Sequence, residues 1–240
     1  MKDKFIIYEI KKWLRDPMLS FMIALPVILA LVVRFGVPYA EEQYNFSLAA
    51  YYHVIVAAVM LMNASVTGGI IGFSILDDRD DKIFLGVDVS PVSIGKFMGF
   101  RFALSFVLTY ISCILVMQIA NFGEIPLYAV LLVPITISLF SSVSAMFINL
   151  FSSNKVEGFA MMKAGGMIIV FPIVSLFLTD YKEFFFGFEP NFWAVKALSA
   201  AMLPNTAFNL GFWGYYPVGI LYVAALNLII YKIFKKRITI

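Results

Sequence analysis

The densest run of titratable side chains in this chain is Asp77 to Gly95, DDRDDKIFLGVDVSPVSIG, where five aspartates (Asp77, Asp78, Asp80, Asp81 and Asp88), Arg79 and Lys82 crowd beside Ile83, Phe84 and Leu85. A purely solvated loop has no use for that apolar triplet, so the mixture predicts a short amphipathic element. The alternative is a charged turn without a partner. Ser90-Pro91 then reads as a helix N-cap and first helical position. Groups for bond-making chemistry are scarce. His53 is the single histidine and no HExxH or paired-carboxylate arrangement accompanies it, which suits an interfacial hydrogen-bonding residue. Cys113 is the single cysteine, so an internal disulfide is impossible and a buried apolar role is expected. The phosphate-binding pattern G-x-x-x-x-G-K-[ST] does not occur, because Gly95-Lys96 lacks both the upstream glycine and the following hydroxyl. Catalytic, cofactor-binding and metal-binding residues are therefore not expected within this chain.

What positions these groups is a set of long apolar helices. Hydrophobic residues make up 62% of the 240 and charged residues 14%, with a mean hydropathy of +0.91, a balance no water-soluble domain of this size could cover with polar surface. The pattern predicts an all-α membrane protein, a single domain over residues 1–240, with six spans at about 18–36, 47–76, 97–120, 126–151, 159–179 and 217–234. Pro26 should kink the first span rather than break it. The second is longer than a bilayer requires, so its surplus should project beyond the membrane, and the short connection after Ala120 demands a tight turn between antiparallel neighbours.

Orientation follows from the basic residues, which resist translocation. Fifteen of the eighteen lysines and arginines fall on one side, around residues 2–15, 79–101, 155–163 and 232–237, whereas Arg34, Lys182 and Lys196 fall on the other. Both termini are thus expected in the cytoplasm. The net charge of +3 reflects topology and points to no nucleic-acid partner. Residues 1–16 predict an amphipathic helix on the cytoplasmic leaflet, with Ile6, Ile10, Trp13 and Leu14 opposed by Glu9, Lys11, Lys12 and Arg15, and stopped by Asp16-Pro17. The aromatic stretch Tyr181 to Tyr216 is broken by glycine and proline, and a seventh span there would put the terminal basic cluster outside. It reads as an external re-entrant or interfacial segment, with Phe188, Phe192 and Trp193 at headgroup depth; the alternative is an aromatic belt with no substrate role.

Asn63, Thr67, Asn149 and Asn227 either join helices through hydrogen bonds or face a polar pathway. Gly68 and Gly72 form a G-x-x-x-G pair, and Gly165 with Gly166 offers another close-approach surface, serving packing inside one bundle, a dimer interface or a conduit wall. The spans hold almost no central carboxylate, which disfavours an ion-coupled secondary transporter. A non-transporting membrane scaffold is a further alternative.

The run DRDDKIFLGVDVSPVSIGK resembles the first cytoplasmic connection of ABC-2 type transporter permeases, and SSNKVEGFAMMK, from Ser152 to Lys163, is similar to the connection that opens their fifth span. The order of elements agrees along nearly the whole chain, although Lys82, Ile83 and Phe84 stand where the family usually has glycine, threonine and leucine. The resemblance implies that Asp77 to Val89 is a coupling helix seated on a separate ABC ATPase subunit, its apolar residues anchoring and its charges fixing partner and register. ATP and Mg2+ would be used by that partner. It further implies a second permease subunit, forming a homo- or heterodimer in membrane lipid, a path lined by the second and fifth spans, an outer gate at the re-entrant segment, and export of a drug, antimicrobial peptide or lipid-like compound from a bacterial plasma membrane.

Overall fold

The computed structural model describes residues 2–88, 94–203, 206 and 209–238. Val89 and the Ser90-Pro91 cap fall outside these residues, as do the side chains of Ile6, Leu85 and Asp88. Among the described residues the chain is helical with no strand: α1 Lys2–Arg15, α2 Pro17–Tyr44, α3 Tyr52–Asp80, α4 Ile83–Asp88, α5 Ile94–Ala120, α6 Leu127–Phe151, α7 Lys155–Ile168, α8 Val170–Ser175, α9 Phe192–Met202 and α10 Phe212–Ile238. Six stretches are long and apolar enough to cross a membrane, namely α2, α3 with its preceding 3-10 turn, α5, α6, α7 with α8, and α10. They are the six predicted spans with shifted ends: the first, third and sixth are longer, the second and fifth are displaced by a few residues, and the fourth is nearly unchanged. The first runs on through Pro26 and Pro38 to Tyr44, and the sixth begins at Phe212, taking Pro217 into its interior.

Local chemistry sets the joints. Asp16 Oδ1 accepts from the amides of Met18 and Leu19 at 2.9 and 3.1 Å with Pro17 at the first helical position, so the residue that stops α1 also starts α2. The turn from α5 to α6 is made with Asn121 and Gly123 in the left-handed region, at φ 49° and 67°.

α3 is the most buried span and α6 the next, and the other four are laid around this pair. Their contact is close. A Cβ on Gly68 would lie 2.6 Å from the Ser141 carbonyl oxygen, and one on Gly72 3.2 Å from Ile148, so this glycine pair serves packing of α3 on α6 within the bundle. Gly165 and Gly166 face open space instead. Two apolar cores are stacked along the bundle, one around Val56, Met60, Val133 and Leu198, the other around Leu19, Ile70, Phe73 and Met146. Polar side chains join the helices between them: Asn63 Nδ2 donates to Ser112 Oγ at 2.7 Å, Thr67 and Thr109 hydroxyls are 2.6 Å apart, and Ser105 and Ser141 hydroxyls 3.0 Å apart. Asn149 Nδ2 donates to the Gly72 carbonyl and Asn227 Nδ2 to that of Leu139. Of the two uses expected for these asparagines and Thr67, the geometry supplies the helix-joining one.

Candidate functional site

The acidic run is split by the end of α3. Asp77 to Asp80 form its last turn, Asp81 and Lys82 make a turn with Lys82 at φ 56°, and α4 follows. The continuous element expected from Asp77 to Val89 is therefore, as far as Asp88, a helix end, a sharp turn and a short helix. Its charges divide accordingly. Asp80, Asp81 and Lys82 are exposed, Ile83 and Phe84 are half-buried, and the Phe84 ring sits edge-on to Phe97 with centroids 6.4 Å apart. Asp77, Asp78 and Arg79, expected among the charges that fix a partner, turn back into the bundle. Arg79 donates to the carbonyls of Ser152 and Asn149, at 3.1 and 3.5 Å.

Behind this turn lies a dry ion cluster. Arg101 Nη2 is 2.6 Å from Glu9 Oε1 and 2.5 Å from Asp78 Oδ2, and Lys12 Nζ is 2.6 Å from Asp78 Oδ1 and 3.2 Å from the Ser74 carbonyl oxygen. Arg101, Glu9 and Asp78 are each 1% exposed. The guanidinium also lies 4.8 Å above the Phe97 ring. The cluster ties α1, α3 and α5 together, and through Phe97 it touches α4. It divides the polar face expected of α1: Glu9 and Lys12 point inward with Trp13, while Lys11 and Arg15, like Ile10 and Leu14, are exposed. The cause is Arg101, a cation about two turns inside an apolar helix, whose carboxylate partners come from α1 and α3.

The second connection adds a further tie. Asn154 caps α7 by accepting from the Glu157 amide at 3.0 Å, and Glu157 reaches back to the Ser153 amide at 2.7 Å. Lys155 pairs with Asp16 at 2.6 Å and Asp77 at 3.1 Å, and Gly158 lets α7 lie against α3, where a Cβ would meet Leu76 at 2.7 Å. Burial pushes the Asp16 carboxyl up, but Lys155 and the capping amides outweigh it and hold the group below its ordinary value. The N-K-x-E-G run is thus a capping box, an ion bridge and a close-approach glycine in succession.

At the opposite end, α9 is eleven residues long, too short to cross, and packs against α3, α6, α8 and α10. Phe192, expected at headgroup depth, is fully buried; Trp193 is half-buried and donates to the Gly187 carbonyl at 3.1 Å; Phe188 is exposed. Lys196 and Glu183, both 0% exposed, pair at 2.5 Å, and Asn209 and the Tyr215 hydroxyl also donate to Glu183. These charges had read as ordinary members of an external surface. The signals that could have found the two clusters are single cations inside apolar runs, Arg101 in the third span and Lys196 in the stretch that forms α9.

Between α3, α6, α7, α10 and the loop Phe188 to Pro190 lies a cavity of about 310 Å³. Its walls are mostly apolar, with Phe147, Met161, Met162 and Gly165 along its length and Tyr222, whose hydroxyl donates to the Phe188 carbonyl at 2.7 Å, at the loop end. Glu189 lines it too. This carboxylate is 1% exposed and accepts from the Asn191 amide, the Asn191 side chain and the Phe192 amide at 2.7, 2.9 and 3.0 Å. Burial pushes it up to about 7, against those three hydrogen bonds. Of the residues expected to form a pathway or gate, the cavity brings together Gly165 and Phe188, and leaves Asn63, Thr67, Gly68, Gly72, Gly166, Phe192 and Trp193 elsewhere.

A family model described as fluoroquinolones export permease protein Rv2686c-like matches residues 9–231, from the first buried carboxylate of the Arg101 cluster to the far part of α10. The chain belongs to the Rv2686c-like family. Two relatives, the fluoroquinolones export permease proteins MT2760 and Rv2686c of Mycobacterium tuberculosis strains CDC 1551 / Oshkosh and ATCC 25618 / H37Rv, are each 29% identical over 236 residues, covering 95% of this chain and 92% of their own length. No solved structure matches the chain. Both ion clusters, α4 and the cavity lie inside the Rv2686c-like match. With six apolar helices, membership of this permease family makes the chain a multi-pass membrane protein.

Proposed function

We propose that this chain is the permease subunit of an ATP-driven ABC-2 type exporter that moves a hydrophobic or amphipathic drug-like compound out of the cell, fluoroquinolones being the class to test first. The observation that carries this reading is the match to export permeases over residues 9–231, nearly the whole chain. In this reading the exposed turn Asp80 to Lys82 and the start of α4 face a separate ABC ATPase, which binds ATP and Mg2+. A second permease copy completes the conduit, and the re-entrant segment with Phe188, Phe192 and Trp193 closes its outer side.

The internal wiring supports this division of labour. Force applied to α4 reaches Phe97 and Arg101, and Arg101 is ion-paired to both α1 and α3. Lys155 joins the end of α3 to the start of α2. A displacement of the short helix would therefore move three spans together, which is what a switch between inward-open and outward-open arrangements needs. The nearest rival, ion-coupled transport, would need a carboxylate relay through the bundle centre, where the polar side chains named above are hydroxyls and amides.

Co-purification tests the reading. An affinity-tagged chain should bring down an ABC ATPase, and a fluoroquinolone should change that complex's ATPase rate. Ile83→Asp and Asp81→Lys should each abolish the drug response. A chain that exports the drug with no ATPase bound would refute the proposal.

A further inference from the structure

Glu189 takes part in neither ion cluster. Its three hydrogen-bond donors are neutral amides, and among the described residues no lysine or arginine is paired with it. A carboxylate held this way caps α9, yet capping alone does not explain its position, because an asparagine or serine would serve in a dry site without a net charge. Three donors also leave part of its accepting capacity unused, since an ionised carboxylate offers about four lone-pair sites. Glu189 is among the residues that line a cavity whose other walls are mostly aromatic rings, thioethers and aliphatic carbons, with Ser65 and Ser144 beside them.

We infer that this cavity binds one drug-sized aromatic molecule bearing a protonated amine, the amine pairing with Glu189 and the ring system lying among Phe147, Phe188, Tyr222, Met161 and Met162. The assignment deepens the exporter reading and rests on it for the role of the bound molecule. Size supports it: about 310 Å³ is at the lower end of the roughly 300–1,000 Å³ typical of small-molecule sites, and too little for a folded peptide or a glycolipid. Charge supports it as well, because an occupant's cation would offset the burial of the anion, and a methionine- and aromatic-lined wall adapts to flat rings of varied outline. The Phe188 to Pro190 loop at one end of the cavity is held on α10 by the Tyr222 hydroxyl.

The test uses the purified full chain in phosphatidylcholine nanodiscs at pH 7.5, titrated with ciprofloxacin, whose piperazine nitrogen is basic, and with its N-acetyl derivative, whose nitrogen is not. The wild type should favour the free amine by about tenfold, the size of one desolvated charge contact. Glu189→Gln keeps an acceptor oxygen for the α9 cap and should bind both compounds equally. Gly165→Leu, at a position where a Cβ meets nothing within 4 Å, should fold normally and weaken both by about tenfold or more through filling the cavity. An undiminished amine preference in Glu189→Gln, or full binding by Gly165→Leu, overturns the assignment. Failure of the wild type to bind either compound also overturns it, even where the complete complex still shows drug-dependent ATPase and the exporter reading stands. Selective binding by a chain that associates with no ATPase keeps the site and removes the exporter reading instead.

Discussion

Arg101 is the residue on which most depends, because three separate helices meet through its guanidinium or the carboxylates around it. Breaking a buried pair by removing one partner leaves a bare charge in a dry place, at a cost of about 3–5 kcal/mol. Arg101→Met should therefore lower the thermal unfolding midpoint of the purified protein sharply, by an amount set by that loss. The double variant Glu9→Leu with Arg101→Met leaves Lys12 and Asp78 as a balanced pair and should recover most of the stability. If the double variant is as unstable as the single one, the pairing is not what holds α1 in place. Glu189 makes a pH-dependent prediction of definite sign. Its carboxyl ordinarily titrates at 4.5 and is pushed up to about 7 in the fold, so between those values the folded state keeps a proton that the unfolded state has lost. Stability from this group is complete below about pH 4.5 and falls as pH rises to about 7, by as much as about 3 kcal/mol. Thermal unfolding at pH 5 and pH 8 should show a larger decline for wild type than for Glu189→Gln; equal declines would contradict the burial described. At this scale the chain was least legible. Glu9, Lys12, Glu183 and Lys196 read as surface charges because sequence periodicity reports which residues share a face, not which face meets a buried counter-charge on another helix.

Elements were far easier to read. Each of the six spans was visible as an apolar run long enough to cross, because a helix with lipid on one side and packed neighbours on the other is apolar all round. Errors were confined to helix ends, where Pro38 and Pro217 mark no boundary. The acidic run was seen as one element because composition changes smoothly through it. The break at Lys82 comes from a left-handed residue, and lysine gives no sequence sign of that. Glycines divide by what they face. Gly68→Leu places a side chain where even a Cβ lies 2.6 Å from the Ser141 carbonyl oxygen, so α3 and α6 must separate. Such a variant should express poorly or unfold well below wild type, as over-packing costs about 1–3 kcal/mol or more. Gly166→Leu, facing open space, should unfold with wild type in the same assay. A reversal of that ranking would mean that α3 meets a second subunit through Gly68 and not α6.

At the scale of the whole molecule, one end of the bundle is wired by ion pairs that join α1, α2, α3, α5 and α7, and the other by the Lys196, Glu183 and Tyr215 cluster that joins α9 and α10 to the loop before them. Between them lie two apolar cores and a layer of hydroxyls and amides. In the exporter proposed above, such a bundle would be pushed at one end and open at the other. An export permease was foreshadowed by the DRDDKIFLGVDVSPVSIGK and SSNKVEGFAMMK runs, whose order and spacing resemble ABC-2 type transporter permeases. The cavity was not foreshadowed, since its walls come from four helices and a loop distant in sequence. The most direct test of the central claim is ATP-dependent uptake of a fluoroquinolone into inside-out vesicles holding the chain with its co-purified ATPase, compared with the Ile83→Asp variant. Uptake that requires ATP hydrolysis, persists when proton and sodium gradients are collapsed, and vanishes in a stably folded Ile83→Asp complex is the result expected. Undiminished uptake by Ile83→Asp, or uptake that follows an ion gradient in the absence of ATP, would contradict it.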